Sequence, residues 1–85
     1  MNPQVFDFIE KNRDSFLGTL KALVRIPSVS SQPAHHPDIL KCAEAEAKHC
    51  KAVGLENVRL LKTEGNPLVY GDWLHAAGKP TVLIY

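Results

Sequence analysis

Thr81-Val82-Leu83-Ile84-Tyr85 is a run of β-branched, aliphatic and aromatic residues with no charge and no in-and-out alternation. That is the composition of a strand buried on both faces. It constrains the chain more than any other feature, because such a strand needs sheet neighbours and cover, and 85 residues supply little of either. Turn and strand signals lead up to it. Asn57 to Lys62 (NVRLLK) reads as a first strand, and Glu64-Gly65-Asn66 supplies turn chemistry after it. Leu68 to Leu74 (LVYGDWL) is the second, with Gly71 as a bulge or close-packing point. Ala77-Gly78 marks another turn before the third strand, Thr81 to Tyr85. Two short connections imply an antiparallel meander.

Two helices precede the strands. Asn2 is a good N-cap and Pro3 suits the first helical position. Apolar residues then recur at Val5, Phe6, Ile9, Phe16, Leu17, Leu20, Leu23 and Val24, which predicts a helix from Pro3 to Val24 with Asn12-Arg13 as its bending point. Pro27 stops it, since the residue before a proline is pushed out of the α region. The stretch IPSVSSQPAHHPD, Ile26 to Asp38, holds three prolines and three serines and reads as an irregular connection. The second helix is predicted over Asp38 to Val53, closed by Gly54 at the C′ position. The fold class is therefore α/β, with two helices packed on a three-stranded, mainly antiparallel sheet.

Charge and composition narrow the function classes. The net charge is +1, and Lys and Arg are interspersed with Asp and Glu, so no basic stripe points to nucleic acid or an anionic membrane. No segment approaches the roughly 18 apolar residues of a membrane span. Met1-Asn2-Pro3-Gln4 lacks a basic leader, and Asp7 and Glu10 interrupt any apolar stretch behind it, which points to a cytoplasmic location. Cys42 and Cys50 are eight residues apart on one predicted helix. At about 1.5 Å rise per residue they stand about 12 Å apart, too far for a disulfide, and two free thiols fit a reducing compartment.

Candidate chemistry is sparse. His35, His36, Asp38, Cys42, His49 and Cys50 are all ligand types, but their spacing matches no established zinc pattern. A loop histidine pair and two small core cysteines account for them as well. Ser28, Ser30 and Ser31 lie outside any nucleophile elbow, and the five glycines form no phosphate cradle. Tyr70 and Trp73 share a strand and read as sheet packing.

Four segments in order carry a resemblance. LVRIPSVSS (Leu23 to Ser31), AVGLENVRLL (Ala52 to Leu61), GNPLVYGDW (Gly65 to Trp73) and GKPTVLIY (Gly78 to Tyr85) resemble the N-terminus of the dinuclear-zinc metallopeptidases. That family includes aminoacylases, succinyl-diaminopimelate desuccinylases, glutamate-releasing carboxypeptidases and carnosinase-like dipeptidases, and the last two segments resemble the dipeptidase branch. In the family, the strand matching Thr81 to Tyr85 runs into Gly-His-x-Asp, where the His is the first zinc ligand and the Asp orients it. The remaining ligands and a Glu general base follow later, and a metal-activated water attacks an amide. The resemblance thus implies that residues 1–85 are an N-terminal fragment of a catalytic domain. It implies two zinc ions, dipeptide or acyl-amino-acid substrates and a homodimer for the intact protein. It places no catalytic, cofactor-binding or metal-binding residue on this chain, which is expected to bind no zinc and to be inactive alone. The alternative is a non-catalytic interaction or scaffold module that binds through an exposed terminal strand by β-augmentation.

Overall fold

The side-chain oxygen of Asn2 accepts the backbone N–H of Gln4 at 2.9 Å, and Pro3 opens α1 (Pro3–Lys11) with no N–H to leave unsatisfied. These features belong to a computed structural model that describes residues 2–85. The chain divides into two units, one running through Cys42 and the other covering Ala43–Tyr85.

In the first unit, α1 is followed by α2 (Arg13–Val24). The single helix expected over Pro3 to Val24 is therefore two, and the break falls at Asn12, where φ is −106° and ψ is 11°. Asn12 causes it by competing for the helix ladder: its side-chain amide donates to the Phe8 carbonyl at 2.8 Å, the same oxygen that accepts its backbone N–H at 3.1 Å. Phe16 N–H still donates to the Asn12 carbonyl at 2.9 Å, so the chain bends without losing its ladder. The rings of Phe8 and Phe16 meet across the break with centroids 6.0 Å apart. After α2 the backbone makes two consecutive three-residue turns, with Ser28 N–H donating to the Ile26 carbonyl and Val29 N–H to that of Pro27. A 3-10 turn over Pro33–His35 then leads into α3 (His36–Ala52), which begins two residues before the expected Asp38.

In the second unit, α3 ends on Gly54 as anticipated. Gly54 has φ +95°, its N–H donates to the Lys51 carbonyl, and Leu55 N–H reaches back to Cys50 at 3.0 Å. This pair of bonds is the Schellman arrangement, and it turns the chain sharply into the sheet. β1 (Glu56–Leu61) and β2 (Leu68–Asp72) form an antiparallel hairpin with Arg59 opposite Tyr70, Leu60 opposite Val69 and Leu61 opposite Leu68. Thr63 organises the connection: its hydroxyl donates to the Asn66 carbonyl and accepts the N–H of Gly65.

The sheet corrects the expected architecture. It has two strands, and with α1, α2 and α3 the described residues hold three α-helices where two were expected. The content is still α/β. Thr81 to Tyr85 joins no ladder, and Val82, Leu83 and Ile84 are 77%, 87% and 88% exposed. Composition specifies what a strand would bury, but it cannot supply the neighbouring N–H and C=O groups that make a strand, and among the described residues none pairs with this run. Among the same residues no side chain is fully buried. No helix among them is long and apolar enough to cross a membrane.

Candidate functional site

The hairpin carries one irregularity, and the most structured surface of the second unit is built around it. Glu56 pairs with Asp72, yet from Arg59 onward the register has moved by one, so Asn57 and Val58 together oppose Gly71. This is a β-bulge, and Asn57 occupies its left-handed position at φ +54°. Asparagine is among the few non-glycine residues that accept that conformation readily. Opposite it, a Cβ on Gly71 would stand 3.3 Å from both Leu55 Cδ1 and Val58 Cγ2, so any side chain there would press on both neighbours.

Polar groups tie down the bulge. The carboxylate of Asp72 accepts the Asn57 side-chain amide at 3.0 Å on one oxygen and the Tyr70 hydroxyl at 2.8 Å on the other. Donating to Asp72 and standing beside its negative charge raise the pKa of the Tyr70 phenol, against the opposing pull of the Arg59 guanidinium. That guanidinium lies over the Tyr70 ring, 4.9 Å from its centroid. Past the end of β2, His75 Nε2 donates to the Glu56 carboxylate, and the imidazole meets the Trp73 ring edge-on at 5.4 Å.

Two cavities adjoin this end of the hairpin. One, of about 300 Å3, lies between Leu55, Gly71, Asp72 and Trp73 on one side and Val82, Leu83 and Ile84 on the other. The second, of about 290 Å3, is lined by Trp73, Leu74, Ala76, Lys79, Pro80, Thr81 and Val82. Trp73 and Val82 line both, so the unpaired run borders a groove of mixed polar and apolar lining.

The residues considered from sequence for metal or nucleophilic chemistry do not assemble. His35 Nδ1 donates to Asp38 at 2.9 Å across one turn, an ion pair at most, while His36 is exposed and Cys42 and Cys50 are free and half-buried. Ser28, Ser30 and Ser31 are exposed in the connection after α2. Among the described residues no group of three or more His, Cys, Asp or Glu side chains is placed to hold a metal ion. Zinc takes three or four converging protein ligands, so the pairs His35–Asp38 and Glu56–His75 do not fit it. The Glu56–His75 and Asn57–Asp72 pairs are the ones sequence reasoning missed. Their separations of 19 and 15 residues become contacts only once the hairpin register is known.

The similarity of the chain to known proteins is to a metal-dependent dipeptidase. The relative is the Cys-Gly metallodipeptidase DUG1 of Candida albicans, 28% identical over 93 residues, a match that covers 95% of this chain and 19% of that protein. The chain thus spans about a fifth of the length of the relative it matches. No family model matches, and no solved structure matches. The similarity is distant and suggests a hydrolase lineage in which the intact proteins carry a metal.

Proposed function

We propose that these 85 residues are the opening segment of the catalytic domain of a zinc-dependent dipeptidase, and that the intact protein hydrolyses Cys-Gly or closely related dipeptides. The observation that carries this reading is the match to a Cys-Gly metallodipeptidase over 95% of the chain. The ordered resemblance of its four segments to the same class of enzyme supports it. On this reading the segment is architectural. It contributes α1 to α3 and the bulged hairpin, while the zinc ligands and the general base belong to residues other than these. The intact enzyme is proposed to be a cytoplasmic homodimer carrying two zinc ions.

The decisive experiment is to read the codons in frame after Tyr85 and to express the whole frame. Gly-His-x-Asp is expected directly after Tyr85, together with Cys-Gly hydrolysis that chelation abolishes and zinc restores. A purified 85-residue chain is expected to show none. Zinc-dependent hydrolysis by that short chain, or a stop codon immediately after Tyr85, would sink the proposal. Exposure of Val82, Leu83 and Ile84 favours one second reading, a non-catalytic module that binds through this run. It predicts that the 85-residue chain is soluble, monomeric and cooperatively unfolding, whereas aggregation or a molten state favours the enzyme segment.

A further inference from the structure

We propose that His75 and Glu56 form a proton-operated latch across the open end of the β1–β2 hairpin, closed in mildly acidic solution and loosened toward pH 8. The latch concerns how firmly this chain holds its own hairpin, and it stands or falls independently of the dipeptidase reading.

The strand register creates the need for it. Glu56 on β1 and Asp72 on β2 are direct partners in the antiparallel pair, so two carboxylates stand opposite each other where like charges destabilise a sheet. They lie at the end farthest from the Thr63 to Asn66 turn, and the bulge separates them from the regular pairing of Arg59, Leu60 and Leu61. Each carboxylate has its own donors, and the donors differ in kind. Asp72 accepts from the Asn57 amide and the Tyr70 hydroxyl, which are neutral and keep their protons across the physiological range. Glu56 accepts from His75 Nε2, and histidine is the side chain whose charge ordinarily changes between about pH 5 and 8.

Uptake of a proton at Nδ1 leaves Nε2–H donating to Glu56 and makes the imidazole a cation. The hydrogen bond becomes an ion pair, and one of the two facing negative charges is neutralised. The neighbouring cations are fixed over the same range. The Arg59 guanidinium on β1 lies over the Tyr70 ring, and the turn after His75 carries Lys79, whose backbone N–H donates to the Ala76 carbonyl. From the end of β2, the uncharged Trp73 ring meets the imidazole edge-on at 5.4 Å. The sign follows: closure favours the charged imidazole, so its contribution is full in mild acid and is lost as pH rises. The His75 and Glu56 side chains are 60% and 50% exposed, which keeps the latch weak and reversible. An exposed pair moves a local equilibrium by about 1.5- to 5-fold.

The experiment follows amide exchange of the 85-residue chain by NMR at about pH 6 and pH 8, each rate divided by that of an unstructured chain at the same pH. Protection at the Glu56–Asp72 end is expected to fall by about 1.5- to 5-fold at the higher pH, and protection of the Arg59 to Leu61 pairing to change less. His75→Gln and Glu56→Gln should each make protection at that end independent of pH. Cross-strand contacts between Arg59 and Tyr70 verify in the same samples that the hairpin is intact in both variants. Wild-type protection that is the same at both pH values overturns the proposal. A pH dependence that survives His75→Gln also overturns it, by assigning the effect to His35, His36 or His49. One that survives Glu56→Gln overturns it as well, because the proton would then act without the carboxylate.

Discussion

Replacing Gly71 by alanine adds a single methyl group where the hairpin leaves little room for one. The new Cβ would stand 3.3 Å from Leu55 Cδ1 and Val58 Cγ2 and 3.4 Å from Leu55 Cβ, a few tenths of an ångström inside comfortable carbon–carbon separation. Two effects compete. Alanine restricts the unfolded chain, a gain of about 0.4–1 kcal/mol where the native backbone accepts it. Overpacking costs about 1–3 kcal/mol when the neighbours cannot move. Leu55 Cδ1 is the end of a flexible side chain and can swing away. Val58 is β-branched and stiff at χ1, and it sits within the bulge, so it has little room to yield. The cost should win by about 0.5–2 kcal/mol, which lowers amide-exchange protection of the β1–β2 ladder by about 2- to 30-fold. NMR exchange rates on the wild-type and Gly71→Ala chains measure this directly. The double variant Val58→Ala/Gly71→Ala should recover part of the loss relative to the sum of the single changes, because the two methyl groups compete for one space. Protection that is unchanged or increased in Gly71→Ala would refute the packing argument, and strict additivity in the cycle would refute the role given to Val58.

Other changes test the remaining parts of the bulge. Asn57→Ala loses both the left-handed preference and the bond to Asp72, whereas Asn57→Gly loses only the bond, so hairpin protection should fall in the order Asn, Gly, Ala, with alanine costing about 1–2 kcal/mol. In a Tyr85→Phe background the remaining tyrosine, Tyr70, should ionise above the ordinary tyrosine value of about 10, and adding Asp72→Asn should bring it back toward that value, as read by ultraviolet absorbance. The sign of the linkage follows from the raised folded-state pKa. The Tyr70–Asp72 contribution is fully present below about pH 10 and is lost as pH rises through the folded-state value, so alkaline unfolding should be less steep in Asp72→Asn. Asn12→Ala should straighten the α1–α2 junction by removing the side-chain bond to Phe8, and loss of the Phe8–Phe16 ring contact in NOE spectra is the expected signature.

Local signals in the sequence were good guides wherever the determinant was itself local. Asn2 with Pro3, Gly54, and the Thr63 to Asn66 turn each act through bonds spanning a few residues, and each appears where its chemistry places it. Asn12 marked a bend, but a broken helix and a bent one share the same apolar spacing, so periodicity joined α1 and α2 into one. The third strand failed for the opposite reason. Strand composition is a demand for neighbours, and neighbours are not a property of the five residues that demand them. The same limit hid the site: Glu56, Asn57, Asp72 and His75 are unremarkable until the register brings them together, and that register contains a shift no alternation pattern announces.

The bulge at Asn57 also governs how the gene can tolerate small insertions and deletions. In an uninterrupted strand, residues three apart point to opposite faces, yet Leu55 and Val58 both crowd the same side of Gly71. The extra residue has reset the phase of the strand. Deleting Asn57 alone would remove that extra residue: Leu55 would then stand two before Val58, on the same face of a regular strand, with the pairing of Arg59, Leu60 and Leu61 untouched. A one-residue deletion at Asn57 should therefore be milder than one at Leu60, which would turn Val58 and Arg59 to the opposite faces of the sheet.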